Sequence, residues 1–151
     1  MNWKTITRFL PEEFPEDPET YAESFFLQRL NAFAVTLDSA VFPSPVPGAL
    51  ARFDGSKTSR HYAVKRKVDA VDIFCNCPAI KAWATALKFF NGVGIYFDTC
   101  YRSKAWPMLH VDLRPTSLIW YRDNKKYYYP GADLFYKGLA INLSQPIKVK
   151  Q

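Results

Sequence analysis

Apolar residues recur at Phe26, Leu30, Phe33 and Leu37, in steps of 4, 3 and 4 residues. That is the spacing of one helical face. Thr20-x-x-Glu23 precedes the run as a capping-box pattern, so the spacing predicts a helix over about 20–37. A second helix is expected from Pro78, with Asn76 placed to cap it, Ile80, Trp83, Leu87 and Phe90 as its buried face, and Asn91-Gly92 as its stop. Elsewhere the pattern shortens to strands: residues 68–74 with mixed faces, then 93–97, 109–113, 117–121 and 126–129. Phe42-Pro43-Ser44-Pro45-Val46-Pro47-Gly48 reads as a loop, and residues 49–61 stay polar and irregular, with Asp54-Gly55 as a turn signal. Residues 1–19 form an acidic, proline-punctuated lead-in, and the tail after Gly138 carries weak signals. Helices first and strands later argue an α+β domain with a central antiparallel sheet flanked by helices.

Composition bounds the reading. A chain of 151 residues is one domain. With 48% hydrophobic and 23% charged residues it is no disordered chain, and 17% aromatic residues supply a real core. Twenty Lys+Arg against 14 Asp+Glu leave a net charge of +6, which suits an anionic partner: nucleic acid, a membrane surface or an acidic wall polymer. No apolar run approaches the roughly 18 residues of a transmembrane helix. The first eight residues lack the apolar stretch and small-residue site of a signal peptide, so synthesis in the cytosol is expected. Cys75, Cys77 and Cys100 make no disulfide framework, and all three read as buried small hydrophobes.

The chain has only 2 His. His61 is followed by Asp69 and Asp72, and His110 by Asp112. Imidazole nitrogen with carboxylate oxygen is a donor set that zinc accepts, and three protein ligands leave a fourth position open. Alternation along a strand puts His110 and Asp112 on one face and Leu109, Val111 and Leu113 on the other. A surface strand with a solvated Asp112 would show the same pattern. Lys125-Lys126-Tyr127-Tyr128-Tyr129 interleaves bases and aromatics as single-strand binders do. No helix-turn-helix, finger or RNA-recognition motif accompanies it, so sequence-specific nucleic-acid binding is not expected.

Ser59-Arg60-His61, Ala70-Val71-Asp72-Ile73, Gly92-Val93-Gly94-Ile95-Tyr96 and Leu109-His110-Val111-Asp112-Leu113-Arg114 together resemble the D-alanyl-D-alanine carboxypeptidase-type zinc peptidases, in their phage and bacterial branch. These peptidoglycan peptidases share a core fold with the hedgehog signalling domain. The resemblance spans about residues 45–121. It implies Zn2+ held by His61, Asp72 and His110, and hydrolysis of amide bonds in peptidoglycan stem peptides. On it, Arg52 and Arg60 are expected beside the reacting bond, and Ser59, Arg114 and Tyr96 against the bound peptide. Ser59 has a second reading, as the residue that holds the loop of His61.

Two departures stand out. Asp72 follows His61 by eleven residues, a longer spacer than the family's usual one, with Lys65-Arg66-Lys67-Val68 inserted; Asp69 is the fallback ligand. The positions where relatives place a Glu or a further His as base are Pro107 and Met108 here. Asp112 is the nearest replacement. Two roles stay open for it: general base, or a brace that fixes the tautomer of His110. The basic run at 65–67 reads as a solvated loop or as a positive rim. A guanidinium clamps a carboxylate bidentately, and Arg52, Arg60 and Arg114 are the candidates for a stem-peptide carboxylate. The expected protein is a phage- or prophage-encoded peptidase that acts on the wall after release or within a virion. The other reading is a non-catalytic virion or interaction protein that keeps the fold.

Overall fold

A computed structural model describes residues 3–64, 66–131 and 134–145; Lys65, of the basic run, lies outside them. Helix α1 (Pro18–Tyr21) is followed by α2 (Ser24–Leu37), strands β1 (Val41–Pro43) and β2 (Ala70–Cys75), and helix α3 (Ala79–Ala86). Strands β3 (Gly92–Tyr96), β4 (Met108–Asp112), β5 (Leu118–Asp123) and β6 (Lys126–Tyr128) come next, then helix α4 (Phe135–Ser144). The result is a small α+β domain with one six-stranded sheet, ordered β1-β2-β4-β3-β5-β6. No helix among the described residues is long and apolar enough to cross a membrane.

The face predicted for α2 is the buried one: Phe26, Leu30, Phe33 and Leu37 are all fully covered. Its start differs from expectation. Val68 donates its N–H to Tyr21 O (2.7 Å) and accepts from Glu23 N (2.9 Å), and this pairing pulls the chain straight at Ala22. The Thr20–Glu23 box therefore does not form. Asp17 caps α1 instead, through Glu19 N at 3.0 Å. Helix α3 is shorter than predicted, and Gly92 belongs to a strand. Trp83 and Phe90 are buried as expected, but Ile80 and Leu87 are exposed. Ala79, Ala82 and Ala86 face the core in their place, and their small side chains let the helix sit close on β3 and β4.

The sheet is mixed, which corrects the antiparallel expectation. β2, β4 and β3 alternate in direction, but β5 runs parallel to β3. Residues 113–117 are short enough to read as a hairpin, yet they pass beneath the start of β3. Asn91 holds them there: its N–H donates to Asp112 O, its side-chain amide to Arg114 O (2.8 Å), and its carbonyl accepts from Leu118 N (2.8 Å). β1 overlaps the start of the segment predicted as loop. It is an edge strand ending in Pro43, where a missing N–H costs no ladder bond. α4 begins before Gly138 and runs on into the tail of weak signals. Gly138 sits inside it because a Cβ there would lie 2.3 Å from the Tyr121 hydroxyl oxygen.

The core lies between one face of the sheet and α2, α3 and α4. Val71, Ile73, Leu109, Val111, Val93 and Ile95 supply the sheet side. Cys75 is buried and Cys77 half-buried, but Cys100 is exposed, which corrects the reading of three buried thiols. Phe33 lies at the centre, edge-on to Phe89 and Phe90 at 6.1 and 5.6 Å. Truncation there removes a fully buried ring and leaves a cavity. Phe33→Ala is expected to lower unfolding free energy by about 3–5 kcal/mol in denaturant titration.

Candidate metal centre

The opposite face of the sheet is arranged in rows. In the central row Asp72 of β2, His110 of β4, Gly94 of β3 and Trp120 of β5 are successive cross-strand partners. The next row holds Ala70, Asp112, Gly92 and Leu118. Side chains on β4 alternate as predicted, so His110 and Asp112 share this face while Leu109 and Val111 enter the core. β3 offers no side chain in either row. A Cβ on Gly92 would lie 2.2 Å from Asp112 Oδ1, and one on Gly94 2.2 Å from Trp120 Cε2. The bare strand lets the Asp112 carboxylate and the Trp120 indole lie flat across it, and the indole packs 5.1 Å from the His110 ring.

His61 comes from a loop. Arg52 N donates to His61 O (2.7 Å) and Ala63 N to Arg52 O (2.8 Å), so residues 61–63 run beside the 48–52 segment. That segment also meets β2, since Asp72 N donates to Ala49 O at 2.9 Å. The carboxylate of Glu16 holds the segment in turn, accepting the N–H groups of Gly48 (2.6 Å), Leu50 (3.1 Å) and Ala51 (3.1 Å). Ser59 Oγ accepts from His61 N at 3.3 Å, so the reading in which Ser59 holds the loop matches its contact.

His61 Nε2, His110 Nδ1 and Asp72 Oδ1 converge. The two nitrogens are 2.9 Å apart, and the carboxylate oxygen is 3.0 Å from His110 and 3.5 Å from His61. All three residues are buried. The tautomers follow from the outward nitrogens. His61 Nδ1 is 3.1 Å from Leu50 O, which can only accept, so that nitrogen carries the proton. His110 Nε2 is 3.0 Å from the Asp112 carboxylate and likewise donates. Each neutral imidazole then turns its bare lone pair toward the other and toward an anion. Such an arrangement is repulsive unless a cation or a proton occupies the middle. Donors 2.0–2.1 Å from a common tetrahedral centre stand roughly 3.3 Å apart, so this set fits a metal ion with little movement. The electrostatics agree. Burial pushes the Asp72 carboxyl up, but hydrogen bonds from His110 and His61 hold it well below the usual carboxylate range. Burial pushes His110 down, but Asp112 and Asp72 outweigh it and raise its pKa.

Asp112 is fully buried. Its Oδ1 accepts from Arg114 N (2.9 Å) and Nε (2.8 Å), and its Oδ2 from His110 and from the Arg114 fork. Burial alone would raise this carboxyl, but Arg114 and His110 hold it well below its ordinary range. It meets the nitrogen of His110 that faces away from the convergence point. Arg114 is therefore committed to Asp112, with its guanidinium 5.0 Å over Trp120, rather than turned to a peptide. Asp69, the fallback ligand, is paired with Arg60 and stands outside the cluster. Arg60 is thereby engaged with Asp69. Arg52 is at the site, its Nη2 3.9 Å from Asp72 Oδ2 and its side chain 47% exposed. Tyr96 lies beneath Arg122 in the row beyond Asp72. The Glu16 brace, the Leu50 carbonyl and Arg122 escape sequence reasoning, because their partners lie far along the chain or in the backbone.

No family model matches the chain, and neither curated proteins nor solved structures give a match. The site stands on its own geometry.

Glu16 touches none of the three donors, yet it fixes the segment whose carbonyl orients His61. Glu16→Ala is expected to weaken divalent-metal affinity by roughly 10–100-fold, the scale of a lost orienting contact. The check is metal titration followed by calorimetry, with unchanged far-ultraviolet circular dichroism as evidence that the sheet is intact.

Proposed function

We propose that the protein is a zinc-dependent peptidase that hydrolyses amide bonds in peptidoglycan stem peptides and is phage- or prophage-encoded. The observation that carries this reading is the convergence of His61 Nε2, His110 Nδ1 and Asp72 Oδ1, with the outer nitrogen of each ring already donating. The sequence resemblance names the same three residues. Zinc, when bound, supplies a Lewis acid that polarises a carbonyl and lowers the pKa of water.

The chain's own residues have distinct tasks on this reading. His61, Asp72 and His110 hold the ion, and only one of their side chains is charged. The Leu50 carbonyl and Asp112 fix the two imidazole tautomers. Asp112 is a positioning residue rather than the general base, since both its oxygens are occupied and the His110 ring separates it from the convergence point. Arg52 has reach and exposure to stabilise negative charge that develops on an amide oxygen. A second reading, a metal-bearing interaction protein of a virion, draws on one observation: Asp72 is the sole carboxylate lining the adjoining cleft among the described residues.

Purified protein is expected to carry about one zinc per chain by elemental analysis. His61→Ala, His110→Ala and Asp72→Ala lose it, and Asp69→Ala keeps it. Wild type that binds no zinc tighter than micromolar rules the metal reading out. A zinc-loaded wild type that cuts no stem peptide and clears no permeabilised cells transfers the case to the interaction protein.

Asp112→Asn gives an independent check. As a brace, its loss weakens zinc affinity by roughly 10–100-fold. Full zinc affinity with turnover lowered by roughly a hundredfold would restore the general-base role.

A further inference from the structure

The two edges of the sheet are unlike each other. β1 forms one and β6 the other. On β1, Ala40 O accepts from Asn76 N and Ser44 N donates to Asp72 O, so Phe42 between them bonds inward and Val41 and Pro43 turn outward. Pro43 has no N–H to offer a further strand, which blunts that edge. On β6 the register works the other way. Arg122 of β5 gives its carbonyl to Phe97 N, on the β3 side, at 2.9 Å. It therefore makes no ladder bond to Tyr127, its partner across the hairpin. Tyr127 turns both its N–H and its C=O away from the sheet, and among the described residues nothing pairs with them.

The open edge is held in place without a partner. The turn residues Asn124 and Lys125 have φ of 48° and 64°, the left-handed pair that a two-residue hairpin requires. The Asp98 carboxylate pins the turn, with one oxygen on Arg122 Nε (2.9 Å) and the other on Lys125 N (2.7 Å). On the core side of the sheet Tyr128 stacks on Tyr121 at 4.6 Å. On the opposite face the Arg122 guanidinium lies 5.8 Å from the Tyr127 ring. A strand laid against an edge this fixed has little of it to order.

Side chains decide what fits. Tyr127 and Tyr129 lie on one face, 49% and 46% exposed, and Lys126 lies on the other with Tyr128. Lys125 and Lys126 are both exposed, and Asp123 across the ladder offsets only one of them. Lysine on an edge repels a second copy of itself. Two chains of net charge +6, paired at β6, would bring four lysines together over 3 residues of ladder. The same charge admits an anionic strand. β6 lies four strands from β2, roughly 19 Å across the sheet, so this edge is separate from the metal donors. We infer that β6 is a docking edge for an extended, acidic segment of a partner protein, added beside Tyr127 with its carboxylates on the Lys126 face and apolar side chains against Tyr127 and Tyr129. The inference does not depend on the zinc reading.

The probe is a capped peptide of alternating glutamate and valine, titrated into isotopically labelled full-length protein at physiological salt and followed by nuclear magnetic resonance. The amide signals of Tyr127 and Tyr129 are expected to shift, and hydrogen exchange at the Tyr127 amide to slow, which marks backbone pairing rather than side-chain association. The same peptide with lysine for glutamate is expected to bind at least about tenfold more weakly, the cost of like charges brought together. A variant carrying Lys125→Glu and Lys126→Glu reverses that preference. No shift at millimolar peptide, or binding that leaves Tyr127 exchange unchanged, overturns the docking edge. Equal affinity for the two peptides overturns the acidic class of partner. A single-stranded oligonucleotide held more tightly than the acidic peptide would assign the lysines and tyrosines to nucleic acid instead. A dimer in sedimentation, with the Tyr127 amide protected before peptide is added, would assign the edge to a second copy. Either result overturns the inference. The wild-type arms need no variant, so a misfolded substitution leaves the test intact.

Discussion

The pairing register of β2 with β4 is the constraint on which the site depends. It sets Asp72 directly across from His110, on the face turned away from the core. Because side chains alternate with a period of two, a slip of one residue in either strand would send its polar member into the apolar layer and bring Ile73 or Val111 out. The helices enforce the register: Val71, Ile73, Leu109 and Val111 are fully buried under them, so no other alignment keeps the core dry. The hydrophobic effect on one face thus fixes an electrostatic arrangement on the other.

That arrangement is costly in isolation, since buried lone pairs and a buried carboxylate face each other. It persists because each member is held from behind. One chain of contacts runs from Arg114 through Asp112 to His110, entirely within β4 and the residues just after it. The other runs from Glu16 through the 48–51 backbone to the Leu50 carbonyl and His61, and it ties the acidic lead-in to the site. The first is rigid and local, the second long-range and made of loop. Their meeting point is the gap between two imidazoles.

Much of this was legible where a single period governs. The α2 face and the β4 alternation could be read because packing on one side alone decides them. The resemblance implies His61, Asp72 and His110 as ligands, and the structure brings these three together as a group that could hold a metal ion. Where two forces compete, the reading failed. Ile80 and Leu87 fit the helical period, but close approach to the sheet favoured Ala79, Ala82 and Ala86. Pro43 reads as part of a loop, although it suits an edge strand. The parallel β3–β5 pair was hidden because a five-residue link looks the same whether it turns back or crosses under a neighbour. Arg114 stands two residues from Asp112, but the strand pattern does not say that the two side chains pair. Glu16 and Arg122 could not be found, because their partners are set by tertiary contact alone.

The three donors do not share one mechanical support. Asp72 and His110 stand on interior strands, while His61 hangs on a loop kept in place by backbone bonds and one distant carboxylate. Local opening costs less free energy at such a loop than in the sheet beneath it. An ion bridging the two would act as a clasp that fastens loop to sheet. Its affinity would be set by how readily residues 48–63 lift away, and its departure would be an event of that loop, with the sheet still folded. The durability of the fold and the durability of the site are then two different quantities in one small domain.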